Sequence, residues 1–183
     1  IGHKVFILFG QGIYNYFAEV IPQRPPIVRP VMLFLHKGDR FLGLQQLVQV
    51  AREGRYARTE ARYFLAQIHR VFEEDHLAAL PHLEALHQQY PSNALFHRYR
   101  ARTLVTIGRW NEGIQLYEEV IDRSRREEAG YHRRGLIEAF YYVGKNAFRL
   151  RQYEEATAAM IEADRLSHDL GSDMELQAAR GYT

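Results

Sequence analysis

Residues 101–120 read Ala-Arg-Thr-Leu-Val-Thr-Ile-Gly-Arg-Trp-Asn-Glu-Gly-Ile-Gln-Leu-Tyr-Glu-Glu-Val, and the order of small, turn and apolar positions in this stretch decides the fold. Apolar side chains recur at helical spacing on both sides of Gly108, which reads as two helices joined by a glycine turn. Gly113 opens the second helix and Tyr117 follows one turn later. A small residue there lets the neighbouring helix approach, while the larger one fills the next groove. Working outward, the same pairing returns as Gly43 with Leu47, Ala79 with Leu83 and Ala156 with Met160. The small residues are separated by 36, 34 and 43 positions. Two short antiparallel helices cannot bury their own apolar faces, so a unit of this length has to stack on its neighbours.

Extending the periodicity along the chain predicts helices over 3–21, 39–53, 57–72, 76–89, 93–107, 110–126, 130–150, 153–167 and 172–180, with no strands. Gly38-Asp39, Glu74-Asp75, Ser92-Asn93 and Gly171-Ser172-Asp173 supply caps and stops between them. Four of the six prolines lie between Pro22 and Pro30, where missing amide donors forbid a continuous helix. Pro81 falls inside a predicted helix, and a bend is expected there. The expected architecture is all-α, a right-handed helical-repeat solenoid of antiparallel helix pairs covering 1–183. It has an irregular first repeat over 1–56 with a proline-rich loop at 22–30, more regular repeats over 57–167, and a C-terminal capping or docking helix over 168–183.

The run Ala101-x6-Gly108-x-Trp110-x2-Gly113-x3-Tyr117-x2-Val120 resembles the tetratricopeptide repeat at its small, turn-glycine, aromatic and second-helix positions. Gly144-x8-Tyr153-x2-Ala156-x3-Met160-x2-Ala163 is a second copy. Leu65-Ala66 with Ala79, Leu83, Leu86 and Pro91 is an earlier one. The separation of 43 departs from the family period and calls for a longer first helix in the last repeat. Arg125 stands where the family places proline. Nearer the N-terminus, Gly12-Ile-Tyr14-Asn-Tyr16, Val20-Ile-Pro22 and Gly38-Asp39-Arg40-x2-Gly43-Leu44 are similar to the opening of bacterial tetratricopeptide proteins of undefined role. Less closely, they resemble a mitochondrial outer-membrane family associated with inclusion-body clearance. The tetratricopeptide resemblance implies a solenoid and a protein-binding role, because the repeat serves many unrelated partners.

Composition narrows the function classes. With 24 basic and 22 acidic residues, the chain carries a formal charge of only +2, so no global field draws it to nucleic acid or anionic lipid. Only three of the basic residues are lysine, and arginine suits protein interfaces and ion-pair networks. Cysteine is absent, which removes disulfides, thiolate nucleophiles and thiolate metal sites. On this point an exported and a cytosolic chain read alike, with a lean towards a bacterial cell envelope or extracellular setting. The apolar stretch Val5–Val20 is interrupted by Gln11, Asn15 and Glu19. It is shorter than a bilayer span requires and lacks the form of a signal peptide.

The residues offer little raw material for catalysis. There are four serines, all at expected turns or helix ends, and no G-x-S-x-G elbow. Gly10-Gln-Gly12 follows no strand and is not continued by a third glycine, so it does not make a phosphate loop. Adjacent acids such as Glu118-Glu119 and Glu154-Glu155 diverge by about 100° on a helix. Among the nine histidines, His82 and His87 are five apart and miss the i, i+4 spacing that lets two imidazoles share an ion. No enzyme activity, cofactor or metal is expected. The runs Arg98, Arg100, Arg102 and Arg133-Arg134 lack the charge excess that phosphate tracking needs.

In the tetratricopeptide family the first helix of each pair lines the concave surface. The resemblance therefore implies a groove of Glu60, Tyr63, Gln67 and Arg70, then Leu95, Arg98, Arg102 and Val105, then Glu138, Tyr141, Lys145 and Phe148. Such a surface suits an extended peptide or loop with acidic and apolar groups. The family's clamp for chaperone C-termini uses asparagines at positions that Gln67 and Arg102 occupy here, so that partner is not expected. The alternative expectation is self-association. Phe6, Phe9, Ile13 and Phe17 belong to an N-terminal helix that is apolar around most of its circumference, which a single following helix cannot cover. Met174 and Leu176 of another copy would dock there, head to tail, giving a ring or a filament.

Overall fold

The computed structural model describes residues 2–20, 37–55 and 57–168, with side chains in the first helix from Phe6 onward. Among these residues eight α-helices follow in chain order: α1 (Gly2–Val20), α2 (Arg40–Glu53), α3 (Arg58–Gln67), α4 (His76–Gln89), α5 (Ala94–Thr106), α6 (Trp110–Arg125), α7 (Arg133–Arg149) and α8 (Tyr153–His168). No strand occurs among the described residues. The expected helix at 172–180 and the proline-rich loop at 22–30 lie outside them. The chain divides at Leu86/His87, inside α4, into two compact units. The boundary expected at 56/57 therefore falls within the first unit.

The helix starts follow from local chemistry. Asp39, Asp75 and Asn93 each place a side-chain oxygen 2.8–3.2 Å from free amides of the helix they precede, satisfying donors that the first turn leaves open. The connections into α4, α6 and α8 each hold one residue in the left-handed region: Glu74 (φ 55°), Gly108 (φ 88°) and Arg151 (φ 63°). At Gly108 and Arg151 the closure is the same. Arg109 N donates to Leu104 O at 2.8 Å, and Gln152 N to Ala147 O at 2.9 Å, the helix-ending bond that a left-handed residue permits. These three turns fall five residues before Ala79, Gly113 and Ala156 and so keep their spacing.

Two local features depart from an ideal helix. At the end of α3 the coil widens into a π turn over Ile68–Phe72, closed by Glu73 N to Ile68 O at 3.0 Å. In α4 the helix runs through Pro81 without interruption. Proline withholds the amide that would reach the Leu77 carbonyl, but both residues are exposed, so water can serve that carbonyl.

In the first unit, α1 and α2 are antiparallel. The Glu19 carboxylate accepts from Arg40 N at 2.7 Å, while Gly12 lies against Gly43 and Leu47. A methyl group on Gly43 would sit 2.6 Å from Tyr16 N and 2.8 Å from Gly12 O, both backbone, so only glycine allows this approach. α3 packs on α2. The core joins Tyr16, Leu47, Val50, Ala51, Ala61, Leu65 and Ile68, flanked by Leu8, Phe9, Ile13, Phe17 and Phe72. Burying each large side chain contributes about 1.5–3 kcal/mol.

In the second unit, α5 packs on α6, α6 on α7 and α7 on α8, and α5 also meets α7. A methyl on Gly113 would lie 2.6 Å from Val105 Cγ2 and 2.9 Å from Ala101 O. Ala156 is buried, and its carbonyl lies close to Gly144 of α7. Of the large residues four positions on from the small ones, Leu47, Leu83 and Tyr117 are fully buried and Met160 is half-buried. The longer separation before Ala156 comes partly from α7, 17 residues against 13 in α5. The rest comes from a longer α6 and a longer connection from α6 into α7.

Candidate functional site: a charged and aromatic strip on α5 and α7

α5 and α7 run side by side in the same direction in the second unit. Gly135 opens α7 against the Arg98 side chain, where a methyl would lie 3.0 Å from its Cδ. One turn further on, Arg102 Nε donates to Glu138 Oε1 at 3.0 Å, and Arg98 Nη1 stands 3.7 Å from Glu138 Oε2. The Tyr117 hydroxyl of α6 donates to the same carboxylate at 2.8 Å. Glu138 thus ties three helices together while remaining 12% exposed.

The electrostatics follow from that node. Burial acts to lower the Arg102 pKa, but the Glu138 charge and hydrogen bond outweigh it and hold the group above the ordinary arginine value. Burial, reinforced by the Glu138 charge, pushes Tyr117 well above the usual phenol value, so it stays a neutral donor. Two guanidiniums facing one carboxylate leave a unit of positive charge unbalanced. Arg102 is 42% exposed and delivers that charge to the surface.

The strip continues along α7. Tyr142 stacks on Tyr117 with ring centroids 4.9 Å apart, and Tyr141 meets Tyr142 edge-on at 5.2 Å. Lys145 Nζ lies 5.9 Å from the centre of the Tyr141 ring and has no acidic partner among the described residues. One turn on, Phe148 is 65% exposed and makes a T-shaped contact with another exposed ring, Tyr153, at 5.8 Å. Arg149 lies over Trp110 at 5.0 Å. Cation and aromatic faces alternate here, which favours acidic and apolar groups of a ligand.

Several expected residues sit elsewhere. Val105 is buried against Gly113 and belongs to the α5–α6 contact rather than to an open groove. Tyr63, Gln67 and Arg70 lie in the first unit, where Tyr63 meets Phe64 edge-on at 6.0 Å and Gln67 accepts from Arg70 at 3.2 Å. Phe9 packs edge-on against Phe64 at 5.7 Å, and Phe17 against Tyr16 and Phe72 at 5.1 and 5.2 Å. Ile13 joins the same core. More than one following helix is thus used: α3 and its π turn join α2 in partly covering Phe9, Ile13 and Phe17, while Phe6 stays exposed. Met174 and Leu176 lie outside the described residues.

No protein-family model, curated protein or solved structure matches the chain. The site is therefore read from its own chemistry. Among the described residues no group of three or more His, Asp or Glu is placed to hold a metal ion, and no helix is long and apolar enough to cross a membrane.

Sequence reasoning placed Glu138 in the groove but missed that it is shared. Arg98 and Arg102, one turn apart on α5, need an acid on a neighbouring helix, and this was the available signal. It also missed two histidine pairs. His82 stacks on His69 at 6.0 Å with rings nearly parallel, and His87 meets His97 at 4.8 Å.

Proposed function

We propose that this chain is a non-enzymatic protein-interaction scaffold built from tetratricopeptide-type helix pairs stacked as a solenoid. The α5–α7 strip of the second unit receives an extended peptide or loop bearing acidic and apolar side chains. One observation carries the reading: two arginines share Glu138, and the surplus positive charge adjoins an exposed Phe148 and a Lys145 that has no acidic partner among the described residues. A carboxylate on the partner supplies the missing counter-charge, and an apolar group covers the phenylalanine. The spacing of Ala79, Gly113 and Ala156, repeated by the turns at Glu74, Gly108 and Arg151, supports the repeat assignment.

Calorimetry with an amidated peptide of alternating Asp and Phe tests the strip. Lys145→Glu with Phe148→Ser should weaken binding at least about tenfold without loss of helicity, since both side chains are exposed. Equal affinity of wild type and variant sinks the reading. Charge reversal at Arg98 or Arg102 is a poorer test, because it crowds acids around Glu138.

A second reading, assembly with other copies, is favoured by the outer face of α1 and α2. There Phe6, Ile7 and Leu42 are exposed, and a shallow depression of about 500 Å³ is lined by Gly10, Gln11, Tyr14, Asn15, Leu42 and Gln46, none of them charged. Depleted charge marks the centres of protein interfaces. Light scattering across concentration tests it, and a mass that stays monomeric at high concentration removes it.

A further inference from the structure

The inner face of α5 is built differently from its groove face. His97 is fully buried, and three polar atoms of this cluster, His87 Nδ1, His97 Nε2 and Arg100 Nε, have no hydrogen-bond partner among the described residues. The Tyr131 hydroxyl lies 3.0 Å from His97 Nδ1, and Arg123 Nη1 donates into that hydroxyl oxygen at 3.1 Å. Arg123 also donates to the Pro91 carbonyl at 3.0 Å. The hydroxyl proton is therefore directed at Nδ1, which assigns the proton of the neutral imidazole to Nε2. Nε2 stands 3.6 Å from Glu119 Oε2, beyond hydrogen-bond reach.

The groups facing His97 come from every neighbouring element. His87 comes from the last turn of α4, Arg100 from α5 itself, Glu119 and Arg123 from α6, and Tyr131 from the turn before α7. Glu128 lies 3.8 Å from Arg123. A second proton on His97 would require Tyr131 to turn its oxygen towards Nδ1, although Arg123 already uses that oxygen, and would set a cation beside two guanidiniums. Burial, His87 and the two guanidiniums outweigh the solvent-exposed Glu119 carboxylate, so the closed site disfavours a charged imidazole.

α5 carries Arg98 and Arg102 on its other side, held to Glu138 of α7. We propose that protonation of the His87–His97 pair frees α5 from α6 and the Tyr131 turn and so dismantles the Arg98–Arg102–Glu138 strip, switching the binding face off in acid. The proposal rests on the strip being the binding face. Burial, then His87 and the two guanidiniums, hold His97 down to about 3 in the closed state, and burial lowers His87 as well. Once α5 is free, His97 returns to the ordinary histidine value of 6.5. Each pH unit below that value raises the open fraction by up to about tenfold per titrating histidine.

Amide hydrogen exchange of the whole chain at pH 7.5 and 5.0, expressed as protection factors, reads the opening directly. In the wild type, protection of α5 should fall by about tenfold or more, and His97→Gln with His87→Gln should abolish that fall. The Asp-Phe peptide keeps its carboxylates ionised at pH 5.0, so any loss of affinity there in the wild type that the double variant lacks reports the opening of α5, and it reaches release only where the open state becomes the major one. Far-UV circular dichroism at pH 7.5 checks that the variant folds; if it does not, His87→Gln alone should reduce the same slope. A fall in protection that is unchanged in these variants, or absent from the wild type, overturns the switch. A peptide that binds neither protein at pH 7.5 overturns the strip reading instead, and the exchange slopes still decide whether the histidines open α5.

Discussion

Each unit contains a glutamate that accepts from a tyrosine and from arginine, and the two nodes differ in how completely they are balanced. In the first unit Glu73 accepts from the buried Tyr16 hydroxyl at 2.5 Å and from Arg40 Nε at 2.8 Å, with a second bond to the same guanidinium. One anion meets one cation, and Phe17 and Phe72 pack edge-on around the tyrosine. Nothing is left over for a ligand, so this node pins α1 and α2 to the end of α3. In the second unit Glu138 meets Tyr117 and two arginines, and the excess cation is held near the surface. The same device is a fastener when charge-neutral and, when it is not, leaves a cation free for the proposed ligand.

Breaking the comparison starts at the larger node. Glu138→Leu leaves two guanidiniums and a phenol without an acceptor and should cost about 3 kcal/mol in urea unfolding followed by Trp110 fluorescence, moderated because Arg102 is partly solvated. Gly113→Leu should cost about 1–3 kcal/mol by driving a side chain into Val105 and the Ala101 carbonyl. A neutral result would show that α6 can move away from α5 without penalty. Glu73→Gln keeps an acceptor for Tyr16 and loses only the charge opposite Arg40, which is 48% exposed. Loss of about 1 kcal/mol is expected from exchange protection of α2.

Acid sharpens the contrast further. His82, held to about 4 first by burial and then by His69 and Arg62, and His97, held to about 3, both bind protons more readily unfolded than folded. Their contribution is complete above pH 6.5, declines as pH falls below it, and levels off near 4 in the first unit and near 3 in the second. His82→Gln should flatten the decline in α3 and α4 by exchange, and His97→Gln the decline in α5 and α6. Interchangeable effects would show that the two pairs are not separate local devices.

Much of the helix pattern was legible in sequence because it depends on near neighbours. With the π turn counted into α3, the described helix ends lie within about three residues of expectation, and Gly43, Ala79, Gly113 and Ala156 are all buried. The left-handed turn was legible at Gly108 but not at Glu74 or Arg151, since neither residue type favours that conformation. Glu73 and Glu138 escaped for a different reason. Their partners lie 57 and 33 residues away for Tyr16 and Arg40, and 21 and 36 for Tyr117 and Arg102. Such meetings depend on how helices are rotated against each other, which no single-helix pattern records. The histidine pairs were hidden likewise: testing spacing within one helix examined His82 against His87, whereas each ring in fact meets one on another helix or its π turn.

The π turn at Ile68–Phe72 sets the rotational phase of everything just beyond it. An α-helix advances about 100° per residue, and the wider turn accommodates an extra residue within the coil. Val71 lies there half-exposed, a position from which a residue could be withdrawn without emptying the core. Were it kept and the coil tightened to α geometry instead, Glu73 would swing by roughly a quarter-circle about the axis and lose sight of Tyr16 and Arg40. The three-helix fastening of the first unit thus depends on a defect in hydrogen-bond regularity, much as a key depends on the one notch that interrupts its edge.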